Sequence, residues 1–175
     1  MKKKFLLIVL LTACIAAIAL ACGTKEQTAT ADAYLRVHIR ADSNEAAAQA
    51  VKYKVRDAVV EFLTPTVADC TTKDTAMKKI GAKLPEIERV AERVLSENGF
   101  SYGARASLRR EEFPTRIYDG ATLEAGIYDA LIIELGSGKG DNWWCVVYPP
   151  LCFTSGNGNV VYRSKILDII AKFFG

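Results

Sequence analysis

The hydrophobic period of this chain changes from helical to alternating at Asn98-Gly99, which limits it to folds that keep helices and strands in separate stretches. Upstream, Ala47, Val51, Val55, Val59 and Phe62 recur at helical spacing between Glu45 and Leu63, with Lys52, Lys54, Arg56 and Glu61 on the other faces. Asp42, three residues before Glu45, has the spacing of a capping box, and Pro65 is expected to end this helix. A shorter helix is predicted over Thr72–Ile80, stopping near Gly81. Pro85 then suits the first turn of a third helix, whose stripe of Ile87, Val90, Ala91, Val94 and Leu95 runs to the Asn98-Gly99 stop.

Downstream, Tyr102, Ala104, Ala106 and Leu108 alternate with Gly103, Arg105, Ser107 and Arg109. Ile127–Leu135 is more continuously apolar and fits a central strand. Trp143–Tyr148 is a third candidate, ended by Pro149-Pro150. Val160–Phe174 reads as a terminal helix. One strand precedes all of this: in Tyr34–Arg40 the residues Leu35, Val37 and Ile39 face one way, and Tyr34, Arg36, His38 and Arg40 the other, as in a half-buried strand. The order of strand, helices, then strands predicts an α+β fold: a small antiparallel or mixed sheet with helices on one face, in a single domain spanning residues 34–175.

The start of the chain is an address. Lys2-Lys3-Lys4 precede Phe5–Cys22, which holds no charged residue and no polar face, so residues 1–22 read as an export signal or membrane anchor. Three endings fit. Ala19-Leu20-Ala21 suits cleavage by signal peptidase. Small residues before Cys22 suit lipidation of that cysteine, although Ala19 stands where the usual lipobox has Leu, and Leu11-Thr12-Ala13-Cys14 matches its letters better. Left uncut, Phe5–Cys22 is just long enough to span a bilayer. Lipidation at Cys22 is the preferred ending, and residues 23–33 are a polar tether. Lys2, Lys3, Lys4, Lys25 and Glu26 account for the net charge of +3: without them 23 basic and 20 acidic residues become 19 of each. A neutral body argues against a nucleic-acid partner.

Little in the chain suggests catalysis. His38 is the single histidine, and with Cys145 it is the one pair that suggests a thiol hydrolase. Paired ligand spacing for a metal is missing. Cys145 and Cys152 straddle Pro149-Pro150, and in an exported body they are candidates for a disulfide. Two free buried thiols, or a bond from either one to Cys70, are the alternatives. Gly136-Ser137-Gly138-Lys139-Gly140 lacks phosphate-loop spacing and leads into Trp143-Trp144, so it reads as a hairpin or functional loop. Alternation puts one tryptophan inward and the other outward as an anchor for a protein partner, unless both are buried.

Two stretches carry a family resemblance. The first is Leu35-Arg36-Val37-His38-Ile39-Arg40-Ala41-Asp42-Ser43-Asn44, followed by Lys52-x-Lys54-Val55-Arg56-Asp57-Ala58-Val59. The second runs from Phe113-Pro114-Thr115-Arg116-x-Tyr118 through Asn142-Trp143-Trp144-Cys145-Val146 to Pro149-Pro150-Leu151-Cys152-Phe153. Together they resemble stage II sporulation protein R. That family usually has Asn where this chain has Asp42, and Asp where it has Asn44; either residue can turn or cap the chain.

The resemblance implies a non-enzymatic signalling protein without cofactors. Such a protein is exported from the forespore into the space between two membranes. There it activates a membrane-embedded aspartic protease that processes pro-sigma E. Arg36, His38, Arg40, Asn142, Trp143 and Trp144 are the expected partner-contacting residues. A solute-binding lipoprotein and the Cys145/His38 hydrolase are the competing readings.

Overall fold

The computed structural model describes residues 31–118 and 121–150. The predicted export segment, most of the predicted tether, Cys22, Cys152 and the predicted terminal helix lie outside these residues. Ala31–Ala33, the end of the predicted tether, forms a 3-10 turn closed by Tyr34 N–H on the Ala31 carbonyl at 3.3 Å. The elements that follow are β1 (Leu35–Arg40), α1 (Ala46–Ala68), α2 (Lys73–Gly81) and α3 (Leu84–Glu97). After these come β2 (Ala104–Phe113), β3 (Arg116–Tyr118), β4 (Ala121–Leu123), β5 (Gly126–Leu135) and β6 (Asn142–Tyr148).

The fold is α+β, with a mixed sheet in the order β2-β5-β1-β6. β1 runs parallel to β5, pairing Val37 with Leu131, and antiparallel to β6, pairing Val37 with Cys145. β2 is antiparallel to β5. The three helices cover one face. Val51, Val55, Val59 and Leu63 of α1 and Ile87, Ala91 and Leu95 of α3 meet Leu35, Val37, Ile39, Leu131, Ile133 and Cys145 there. Each fully buried Leu or Ile contributes about 1.5–3 kcal/mol. The opposite face is covered by the β3–β4 hairpin. Its smaller cluster holds Tyr34, Phe113, Leu123, Tyr128, Ala130, Ile132 and Val146.

Four expectations need correction. β1 is not half-buried: lying between β5 and β6 with both faces covered, it buries Tyr34 through Ile39, including Arg36 and His38. Pro65 does not end α1, which runs on to Ala68. A proline inside a helix costs roughly 3 kcal/mol, but the turn beyond it brings Val67 and Cys70 into the core, where they are buried with Leu63. Lys52 is not on a wet face. It is 1% exposed, and its Nζ donates to Gln49 Oε1 at 2.6 Å and to the Asp141 carbonyl at 3.0 Å. Asp42 forms no capping box, because Glu45 is the N-cap of α1 and makes no side-chain cap bond.

The other boundaries follow their sequence signals. Thr72 caps α2 by accepting from Thr75 N–H at 3.2 Å. Pro85 sits in the first turn of α3, and Gly99 adopts φ +81° just past its end.

Candidate functional site

The six residues expected to contact a partner divide by depth and by face. Arg36, His38 and Trp144 share the hairpin face of the sheet, because His38 pairs with Trp144 across β1 and β6 and Arg36 stands two residues earlier. Trp143 lies on the helix face, where it packs against the main core with the Arg56 guanidinium 5.7 Å from its ring centroid. The tryptophans thus point to opposite sides, as alternation predicts, yet neither projects freely: both are half-buried. Asn142 is exposed at the start of β6.

Arg36 is 0% exposed. Its Cζ lies 4.2 Å from the Phe113 ring centroid, 4.9 Å from that of Tyr128 and 5.9 Å from that of Tyr118. Nη2 donates to the Tyr118 hydroxyl at 3.0 Å, while Nε and Nη1 are buried without an acceptor. The β3–β4 hairpin sets this arrangement by bringing Tyr118 over the sheet. The Tyr118 hydroxyl also donates to the Trp144 carbonyl at 3.4 Å.

His38 is held at both ring nitrogens. Nδ1 meets Glu111 Oε1, and Nε2 meets the Asn142 side chain at 2.7 Å. An amide can serve either form of the ring, its oxygen accepting an N–H or its NH2 donating to a bare nitrogen. The Trp144 ring lies 5.4 Å away, tilted by 32°. Arg116 then lies over Trp144 from outside, its Cζ 4.5 Å from the ring centroid.

Beside His38 lies a charge network from three strands. Glu111 Oε1 accepts from Arg40 Nη2 at 2.8 Å, and Arg40 Nη1 reaches Glu134 Oε1 at 3.0 Å. Arg109 bridges the same two glutamates at 3.2 Å each. Burial pushes the Glu111 carboxyl up, but His38, Arg40 and Arg109 outweigh it and hold the group below its ordinary range.

The glycine loop after β5 clasps the loop after β1. Asp42 Oδ1 accepts from Ser137 N–H at 2.7 Å, and Asn44 Oδ1 accepts from Asp141 N–H at 2.6 Å. Gly140 N–H donates to the Ala41 carbonyl at 2.8 Å. Gly136 and Gly138 take φ of +56° and +64°, and a Cβ on Gly140 would run into the Ser43 carbonyl. This clasp fixes where Asn142 begins β6. The role found for both Asp42 and Asn44 is a side-chain oxygen accepting from a backbone N–H, which either residue type provides. That is the physical reason the exchanged positions fit one geometry.

His38 and Cys145 do not form a catalytic pair. Cys145 projects into the helix-face core, whereas His38 projects to the hairpin face and spends both ring nitrogens there. Cys145 carries a free, buried thiol, and Cys152, its suggested partner, lies outside the described residues. Cys70 is also a free, buried thiol, and burial pushes its ionisation up. Among the described residues no three His, Cys, Asp or Glu side chains are grouped to hold a metal ion.

Sequence reasoning gave no site role to Glu111, Glu134, Arg109 or Tyr118, although Tyr118 belongs to the second family stretch. Each is a charged or polar residue on a strand; sheet order places the first three near β1, and the β3–β4 hairpin lying over the sheet places Tyr118 there.

Comparisons with known proteins agree on one family. The profile described as "Stage II sporulation protein R" matches residues 31–157. A curated relative from Bacillus subtilis (strain 168), also described as "Stage II sporulation protein R", is 37% identical over 135 residues. That alignment covers 77% of this chain and 60% of the relative, so the chain matches less than two thirds of the relative's length. No solved structure gives a significant match. A profile that takes in both the Arg36–His38 strand and the Asn142–Cys145 block covers most of the described fold, and the chain belongs to the stage II sporulation protein R family.

Proposed function

We propose that this chain is a non-enzymatic signalling ligand that acts in sporulation outside the cytoplasm, activating a membrane-embedded aspartic protease so that pro-sigma E is processed. The observation that carries the reading is family membership over residues 31–157, joined to a basic start and an uncharged run suited to export. On this reading the protein lies between the forespore and mother-cell membranes, held by its N-terminal segment through lipid on Cys22 or as an uncleaved span.

The geometry favours a ligand over an enzyme. The residues of the family motifs stabilise and position one another, and the one candidate nucleophile–base pair is split by the sheet. The parts of the motif left open to a partner are the exposed Asn142, the rim of Trp144 and the stacked Arg116, with the partly exposed Arg40 beside them. In the free protein Arg36 and His38 lie beneath that surface and hold it in place.

The test is co-expression in a non-sporulating host with the candidate protease and pro-sigma E, following sigma processing by blot. Processing that requires this chain, is lost in Trp144→Ala and persists in Cys145→Ala is the expected result. No processing by an exported, folded chain would overturn the reading and leave a solute-binding lipoprotein in its place.

A further inference from the structure

Three donor nitrogens on the hairpin face have no acceptor. Arg36 Nε, Arg36 Nη1 and Trp144 Nε1 are each buried and unpartnered. A buried guanidinium without an anion is costly, by several kcal/mol in general. The three surrounding rings stabilise its charge through their faces but leave its N–H groups unbonded. The nearby carboxylates are already engaged: Glu111 and Glu134 serve His38, Arg40 and Arg109, and none of the ion pairs among the described residues includes Arg36. Trp144 hangs from the neighbouring strand on the same face, and Tyr118 bonds both the Arg36 guanidinium and the Trp144 carbonyl.

Resting on the signalling reading above, we propose that Arg36 and Trp144 form a binding site for one carboxylate carried by the protein partner, an Asp or Glu side chain or a chain terminus. A single buried guanidinium with apolar walls matches one negative charge; of the neighbouring arginines, Arg40 and Arg109 are committed to Glu111 and Glu134, and Arg116 is stacked on the Trp144 ring. The carboxylate takes the Arg36 donors and the indole N–H, and the Tyr118 hydroxyl gives way to it. The partner meets the site at the hairpin, where Ile117 is 72% exposed and Arg116 lies over Trp144.

The test uses the full chain in detergent micelles, labelled with nitrogen-15 arginine, and adds sodium acetate against sodium chloride at matched ionic strength. The Arg36 Nε–H signal should shift saturably with acetate and not with chloride. Trp144→Phe keeps a ring but drops the donor, and should weaken acetate binding about tenfold. An Arg36 signal that stays in place in the folded wild type overturns the site, whether or not the chain activates any protease.

Arg36→Met, uncharged and of similar length, assigns the source of the carboxylate. Loss of sigma processing by a variant that still unfolds cooperatively puts the carboxylate on the partner. Full processing by Arg36→Met overturns the partner assignment and leaves a free small carboxylate as the ligand. If Arg36→Met does not fold, Trp144→Phe carries the same comparison. If the wild type drives no processing, the signalling reading fails and the acetate titration alone decides the site.

Discussion

His38 and Cys145 sit one register step apart on neighbouring strands and face opposite sides of the sheet. The pairing of Val37 with Cys145 puts the thiol under the helices, and the next residue along β1 turns its imidazole toward Glu111 and Asn142. Chemistry that needs the two in contact would have to pass through the sheet.

Cys145→Ala should therefore leave signalling intact. The thiol is 4% exposed, so the change leaves a small void and costs about 1 kcal/mol. Urea unfolding and the sigma-processing blot together check this. A folded variant that has lost processing would restore the thiol to the mechanism.

Glu111→Gln should be destabilising, by about 2–3 kcal/mol, because His38, Arg40 and Arg109 all converge on that carboxylate and the two arginines would be left with Glu134 alone. The pH dependence follows from the direction of its shift. Its folded value lies below the unfolded value of roughly 4.3. The stabilisation is therefore fully present above that unfolded value and is lost as pH falls through the folded one. Wild-type melting temperature should drop on acidification below about pH 5, and Glu111→Gln should flatten that part of the curve. An unchanged acid limb would mean that Glu111 does not carry it.

The clasp between the two loops separates conservative from disruptive changes. Asp42→Asn keeps an oxygen for Ser137 N–H and should stay within about 0.5 kcal/mol of wild type, whereas Asp42→Ala should lose about 1–2 kcal/mol. Gly140→Ala should be worse than either, since the added carbon meets the Ser43 carbonyl, which is backbone. Chemical denaturation of the three variants gives the ranking. A Gly140→Ala chain as stable as wild type would refute the close approach.

Much of this architecture was legible in the sequence because it rests on local period. β5 was readable as central from its more continuously apolar run, and α3 from its stripe, Pro85 and Asn98-Gly99. β1 misleads because Arg36 and His38 look like a wet face. What buries them comes from Tyr118, 82 residues on, and from Glu111, 73 residues on, and no local pattern reports either. Asp42 misleads for the same reason: a helix start lies three residues away, but its acceptor is taken by Ser137, 95 residues away. The β3–β4 hairpin, with three residues per strand, is too short to show a period. The candidate site is thus half legible. Its motif residues can be named from sequence, but its ionic partners cannot.

Tyr102 offers a change that should improve the fold. Its hydroxyl is buried without a hydrogen-bond partner, where burial and the nearby Asp42 charge push its ionisation up. Removing an unsatisfied buried hydroxyl removes a desolvation cost with no bond to lose, so Tyr102→Phe should gain about 1 kcal/mol at neutral pH. The sign at high pH is also fixed. A raised folded value means that the neutral phenol contributes stability fully below the unfolded value of roughly 10, and that this contribution is lost as pH rises through the folded one. The advantage of Tyr102→Phe should thus widen in alkali, against a background loss that the similarly shifted Tyr34 and Tyr148 maintain. Thermal melts of both proteins from neutral to alkaline pH make the comparison. A variant less stable than wild type at neutral pH would show that the hydroxyl has a partner, and the loop beside Asp42 is where to look for it.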